Sequence, residues 1–290
     1  MATLAAILSS KPDMKPTVFL AASTLMAVVA LAAPAQAQIE RRLERTFTVA
    51  AGHTVDVEVS GGSIRTSTGT GNQVQVTLTQ VIHADSDRDA DDLLRDYDIH
   101  ATQSGDRIEV VGRRKSDVRE RSGRYVSISA TLVVPATVLL DLQTSGGSID
   151  VRGARTAAVK AHTSGGSVSA DGGSGAMDLG TSGGSIDVRE ALGTLRANTS
   201  GGSIDVDFIG PNATDVSVHT SGGGIRIGID PAAKLSIEAG TSGGSVSVDG
   251  LNLTATTIAR AQLLGTLNGG GGRLSAATSG GSVRLRAASR

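Results

Sequence analysis

A six-residue motif recurs through the second half of this chain, and it restricts the fold more than any other feature. Thr144-Ser145-Gly146-Gly147-Ser148-Ile149 returns from Thr163, Thr181, Thr199, Thr220, Thr241 and Thr278, with Ile or Val in sixth place and Gly224 replacing the second Ser once. The repeated Ser residues, Ser145 to Ser279, are separated by 19, 18, 18, 21, 21 and 37 residues. Self-similarity at a fixed period near 20 residues marks a solenoid, in which each coil buries its apolar face only against its neighbours. The expected fold is all-β: a β-helix-like solenoid of roughly 20-residue coils.

Alternation around each motif sets side-chain direction. Pairs such as Leu140 and Leu142, Leu195 and Ala197, or Leu274 and Ala276 precede the repeated Ser by five and three residues, and Ile149 with Val151 or Val283 with Leu285 follows the Gly pair. A two-residue period puts all of these on one face of short strands. Between the strands, Gly-Gly suits a sharp turn with positive φ and a close approach to the next coil. Thr and Ser would line up between coils as hydroxyl ladders. The 37-residue interval is close to two ordinary ones and holds Asn268-Gly269-Gly270-Gly271-Gly272, so a distortion or cap is expected near the carboxyl end, where an open strand edge needs cover.

Composition narrows the chemistry. With 3 Phe, 2 Tyr and no Trp or Cys in 290 residues, aliphatic side chains must build the core, disulfides and Cys-ligated metals are excluded, and stacking platforms for sugars or bases are scarce. Lys11 and Lys15 precede the apolar stretch Val18 to Ala33, and Pro34-Ala35-Gln36-Ala37 follows. That order reads as a secretory signal peptide over residues 1–37, cleaved after Ala37, and it leaves no membrane span in the mature chain. The formal charge of −1 argues against nucleic acid as a partner. Periplasm, cell surface or extracellular space is the expected location.

Residues 38–135 read as a strand-rich region and residues 136–290 as the repeat solenoid. In the first region Thr54 to Val59, Gln73 to Leu78, Ile108 to Val111 and Tyr125 to Ala130 alternate as strands. Ser60-Gly61-Gly62-Ser63-Ile64 carries the motif's core, so this region can hold a diverged first coil. A short helix is expected over Asp87 to Tyr97, capped by Asp87 or Asp89, with Ala90, Leu93, Leu94 and Tyr97 on one face. Its acidic run lacks the order of a calcium loop and reads as a solvated face. Arg113, Arg114, Lys115, Arg119, Arg121 and Arg124 form a basic loop for which an exposed hairpin is the simpler reading than an anionic ligand.

Together the strand-rich region, Val134-Pro135, the Thr-Ser-Gly-Gly-Ser-Ile/Val coils and the Asn268-Gly269-Gly270-Gly271 segment resemble the bacterial putative-adhesin family, a domain of uncharacterised function, over Phe47 to Arg286. The resemblance implies an exported or envelope-associated β-solenoid and suggests adhesion; it brings no catalytic or ligand residue.

The function class that fits is a non-enzymatic structural or interaction module of the cell envelope, with an envelope polysaccharide or protein as partner. Asp150, Asp187 and Asp205 occupy the same outward position, and Arg226 and Arg284 occupy it in later coils, which marks an interaction stripe; solvation of an outward face also explains it. The alternatives are a carbohydrate-binding or polysaccharide-processing solenoid and an ectodomain partner in envelope-stress signalling. Processing would need two carboxylates across a sugar, such as Asp187 and Asp205 on adjacent coils. No catalytic, cofactor or metal site is expected: the repeated Ser lacks a matched His-Asp pattern, no Gly-Lys-Ser or Gly-Lys-Thr follows the Gly pairs, and His162 and His219 lie three coils apart.

Overall fold

The computed structural model describes residues 38–116, 125–153, 157–211 and 215–288. The signal-peptide segment, together with Arg119, Arg121 and Arg124 of the basic loop, lies outside them. Strands β1 (Gln38–Thr48), β2 (Thr54–Val59), β3 (Gly61–Thr68) and β4 (Gln73–His83) precede helix α1 (Asp87–Leu94). β5 (Tyr97–Ser104), β6 (Arg107–Arg114) and β7 (Tyr125–Val134) follow. The repeat then contributes strands in pairs: β8 (Leu139–Thr144) with β9 (Ile149–Val151), β10 (Val159–Thr163) with β11 (Val168–Ala170), and β12 (Met177–Thr181) with β13 (Ile186–Ala191). Next come β14 (Leu195–Thr199) with β15 (Ile204–Ile209), β16 (Asp215–Thr220) with β17 (Ile225–Ile229), and β18 (Leu235–Thr241) with β19 (Val246–Asp249). β20 (Leu253–Ala259) and β21 (Gln262–Leu267) form a hairpin before the final pair, β22 (Gly272–Thr278) and β23 (Val283–Ala287).

Each coil gives one strand to each of two long sheets. The first runs β1-β4-β7-β3-β9-β11-β13-β15-β17-β23-β19, and the second runs β20-β21-β18-β22-β16-β14-β12-β10-β8-β2-β6-β5. Coil-to-coil pairing is parallel and in register, as in Ile186 opposite Ile204 and Leu179 opposite Ala197. Inward side chains from both sheets merge in one continuous core. The fold is therefore the expected all-β solenoid, with two sheets and one strand of each per coil. β2 and β3 stack directly on β8 and β9, with Val59 opposite Thr144 and Ile64 opposite Ile149, so the ladder begins before Pro135. Antiparallel strands cover its amino-terminal end: β1 on β4, β4 on β7, and β5 on β6.

Nearly every apolar position assigned inward is buried, from Leu140 and Leu142 through Leu274 and Ala276; Val246 and Val248 are half-buried. Their partial exposure follows from spatial order, which departs from chain order. β22 and β23, last in sequence, lie between the β16–β17 coil and the β18–β19 coil. The 37-residue interval is thus neither two ordinary coils nor a simple end cap. β21 returns antiparallel to β18, and the chain turns back to feed a coil into the slot beside β16. Asn268 makes that turn with φ of 50°. Its side-chain amide donates to the Pro231 carbonyl at 2.7 Å and the Ala233 carbonyl at 2.9 Å, latching the turn to the loop that feeds β18.

Two other expectations change. The helix starts one residue earlier in its capping: the Ser86 hydroxyl accepts from the Asp89 amide at 3.2 Å, and α1 ends at Leu94. Tyr97 belongs to β5 instead, where its hydroxyl accepts from the Val126 amide at 3.2 Å. The Gly pairs of the seven motifs do not turn on positive φ: none of those glycines adopts it, although Gly61 of the diverged first coil does, at 78°. They are required by close approach: a Cβ on Gly147, Gly166, Gly184, Gly202 or Gly223 would overlap the carbonyl of the equivalent Gly one coil below.

Candidate interaction surface

Corner chemistry fixes where the outward side chains stand. The repeated Thr is buried, save Thr241 which is half-buried, and its hydroxyl donates to a glycine carbonyl of the neighbouring coil: Thr163 to Gly147 at 2.8 Å, Thr181 to Gly166 at 2.7 Å, Thr199 to Gly184 at 2.8 Å. It also accepts from its own coil, as in Gly202 N–H to Thr199 at 3.4 Å. The later Ser accepts from the next coil's backbone, with the Ser185 amide donating to the Ser167 hydroxyl at 3.2 Å. The expected hydroxyl-to-hydroxyl ladders are thus hydroxyl-to-backbone ladders. Satisfying backbone groups at a tight corner outweighs pairing two hydroxyls that solvent can serve.

This scaffold brings the sequence-assigned stripe together. Across the first sheet, Arg65, Asp150, Ser169, Asp187, Asp205, Arg226, Arg284 and Ser247 are successive neighbours in register. Arg226 grips Asp205 with two bonds, Nε to Oδ1 at 2.5 Å and Nη2 to Oδ2 at 2.9 Å. Arg152, just past the end of β9, reaches back to Asp150 at 2.8 Å. Asp187 has no ion pair among the described residues; partial burial and the neighbouring Asp205 and Asp207 push its carboxyl above the ordinary value, against a smaller pull from Arg226. Arg284 is exposed and has no ion pair among the described residues. The stripe is therefore acidic in the middle coils and basic toward β23.

The outward face of the second sheet is patterned differently. Glu109, Asp56 and Asp141 stand side by side on β6, β2 and β8. Burial raises the Asp56 carboxyl, the Arg107 guanidinium bonded to it pulls the other way, and Asp141 and Glu109 push upward again. Two residues nearer the corner, Glu58, Gln143, His162, Gly180, Asn198, His219, Ala277 and Gly240 form a second row. Shallow depressions of about 280 Å³ and about 460 Å³ lie beside it near its two ends. His162 and His219 each lie two residues before a repeated Ser but three coils apart, too far to share a metal; stacking in register places them in one row with Gln143 and Asn198.

Other charged candidates are tied into the fold. Arg113 bonds both Glu58 carboxylate oxygens at 2.8 and 2.7 Å, and Lys115 donates to the Arg95 carbonyl at 2.8 Å. On the acidic helix, Asp87 and Asp91 face Arg41 of β1 at 3.1 and 3.4 Å. Among the described residues no three His, Asp or Glu side chains are placed to hold a metal ion, and no helix is long and apolar enough to cross a membrane.

A parallel two-sheet ladder with an open polar face on each side defines a repeat scaffold. The chain belongs to the Toastrack DUF4097 family, whose match spans residues 126–286, more than half its length. No curated protein matches it. Similar solved structures include a putative cell adhesion protein from Clostridium sporogenes, 9% identical over 85% of this chain and 99% of that one, with a TM-score of 0.36. A putative adhesin from Bacteroides fragilis is 10% identical over 84% and 97%, with a TM-score of 0.34.

Proposed function

We propose that this protein is a non-enzymatic interaction module of the cell envelope, exported by cleavage after Ala37 and built as two segments, 38–135 and 136–290. The carrying observation is the stripe from Arg65 to Ser247, an unbroken, in-register row of exposed or half-exposed polar side chains across eight coils. A rigid ladder presents such a row without paying for ordering at the moment of contact, and many weak contacts at fixed spacing add into avidity. Asp187 and Asp205 serve this surface better than they serve hydrolysis, because Asp205 is held in a two-pronged pair with Arg226 and both carboxylates lie on a flat face. An adhesin-like role in contact with an envelope polysaccharide or protein follows from this reading.

The test is co-sedimentation of the full chain with native envelope from the source cells. Saturable binding that weakens several-fold in the Asp187→Lys, Arg284→Glu double variant is expected. Absence of saturable binding would overturn the module reading, and unchanged binding by the double variant would remove the stripe from it.

A further inference from the structure

The row nearest the corner of the second sheet has a chemistry the charged stripe lacks. From Gln143 to Gly240 every member is an amide, an imidazole or a residue without a polar side chain, and Glu58 at its start is already bonded to Arg113. Beside it runs a parallel row of exposed hydroxyls on Ser164, Ser182, Ser200, Ser221 and Ser279. None of these hydroxyls bonds another described residue, and neither does the side chain of Asn198 or His219. The floor between the rows is the buried Thr ladder, whose hydroxyls are spent on glycine carbonyls of the next coil. Ala277 and Gly240 leave the row low where a ligand backbone would lie closest, whereas the His162 ring leans over Gly180. Separate depressions, lined by Gln143, Thr144, His162 and Thr163 at one end and by His219, Gly240, Thr241 and Thr278 at the other, lie along the furrow these two rows mark out.

We propose that this furrow binds an extended, uncharged polysaccharide strand lying along the solenoid axis. Successive coils repeat at about 4.8 Å, a spacing close to one sugar unit of an extended chain, so each coil offers one hydroxyl to one sugar, and Asn198 and His219 add an amide and an imidazole, while Gln143 already donates to Asp141 at 3.2 Å and the His162 ring stands 4.0 Å from Asp178. Neutral donors and acceptors in a shallow groove match hydroxyl-rich ligands and give an attraction that salt screens little. Without aromatic rings to stack on, each contact is weak, and affinity comes from the number of coils engaged at once. Binding therefore depends steeply on polymer length. This inference rests on the interaction-module reading and names the partner class for a face other than the charged stripe.

The experiment measures retention of the full chain on three immobilised or soluble probes: a long β-linked neutral glucan, the tetrasaccharide of the same sugar, and polygalacturonate as a charged polymer. Retention on the long glucan, none on the tetrasaccharide and little change between low and high salt are expected. The triple variant His162→Ala, Asn198→Ala, His219→Ala should lose about tenfold or more in apparent affinity while keeping its circular-dichroism spectrum and melting temperature. A second variant, Ser182→Glu with Ser200→Glu, blocks the same furrow from the hydroxyl side and should behave alike. Equal binding by both variants, tetrasaccharide binding as tight as the polymer's, or salt-sensitive retention on polygalacturonate alone would overturn the furrow. Sedimentation with native envelope, without glucan binding, would sink the furrow and leave the module reading standing; loss of both would sink the two together.

Discussion

The β12–β13 coil and the β18–β19 coil carry the same Thr-Ser-Gly-Gly-Ser and make the same corner bonds. Thr181 donates to Gly166 at 2.7 Å and Thr241 to Gly281 at 2.6 Å; each Thr also accepts from the Gly three residues on. Yet Val188 is 1% exposed and its counterpart Val248 is half-buried, because β13 has a strand on each side whereas β19, at the sheet edge, pairs with β23 alone, even though β18 of the same coil lies between β22 and β21. The motif thus dictates coil geometry, whereas neighbours decide how much stability a coil adds. In a nearest-neighbour ladder, a lesion in the middle breaks two interfaces and one at the end breaks one.

The largest test of that contrast is a methyl at the close approach. Gly184→Ala sets a Cβ against the Gly166 carbonyl, with coils packed above and below, and should cost about 3 kcal/mol or prevent folding. Gly244→Ala meets the Gly281 carbonyl in the same way, but the corner leads into β19 at a sheet edge, which can shift outward, so roughly half that loss is expected. Urea melts of the two variants measure the difference; equal losses would mean that the ladder does not behave as a sum of interfaces. Next in size is core truncation. Val188→Ala should cost about 2 kcal/mol, with a cavity that cannot collapse, and Val248→Ala less than about 1 kcal/mol, where water already reaches the side chain.

The insertion of the last coil rests on a turn, which the Asn268 latch makes testable. Asn268→Ala removes two bonds to the loop carbonyls of Pro231 and Ala233 and places alanine at positive φ, so a loss of about 2 kcal/mol is expected, with hydrogen exchange accelerated first in β22 and β23. Exchange that speeds up evenly along all coils would show that the turn does not hold the inserted coil in place.

Much of this was readable before any coordinates. Period and alternation set the coils, the two strands per coil, the inward residues and the outward stripe of Asp150, Asp187, Asp205, Arg226 and Arg284, because those depend on local periodicity that the sequence displays directly. Coil order was not readable. The β18–β19 and β22–β23 coils carry similar motif residues, and which of them takes the slot beside β16 depends on contacts between segments far apart in sequence, such as Asn268 with Pro231 and Ala233. The role of the glycines was half legible: abundance pointed to a steric demand, but whether φ or close approach sets it depends on the neighbouring coil's carbonyl. The neutral furrow was hidden for the same reason, since Gln143, His162, Asn198 and His219 become one row only when stacking puts them in register.

The smallest effect separates two carboxylates of the stripe that are adjacent and alike in sequence. Asp205 is paired with Arg226, so Asp205→Asn breaks a two-pronged bond and should lower stability slightly, within about 0.5–1 kcal/mol for an exposed pair. Asp187 is the reverse case. Its carboxyl is raised above 3.8 in the folded protein, first by desolvation and then by Asp205 and Asp207, so the folded state holds this proton more tightly than the unfolded chain does. The ionised form is consequently a small burden on the fold at neutral pH, and acidification through the window above 3.8 relieves it. Asp187→Asn should therefore raise the melting temperature slightly at pH 7, and the gain should vanish once the pH falls below the carboxylate range. A gain that persists at low pH would trace to packing instead of charge, and a loss at pH 7 would mean that Arg226 serves Asp187 as well as Asp205.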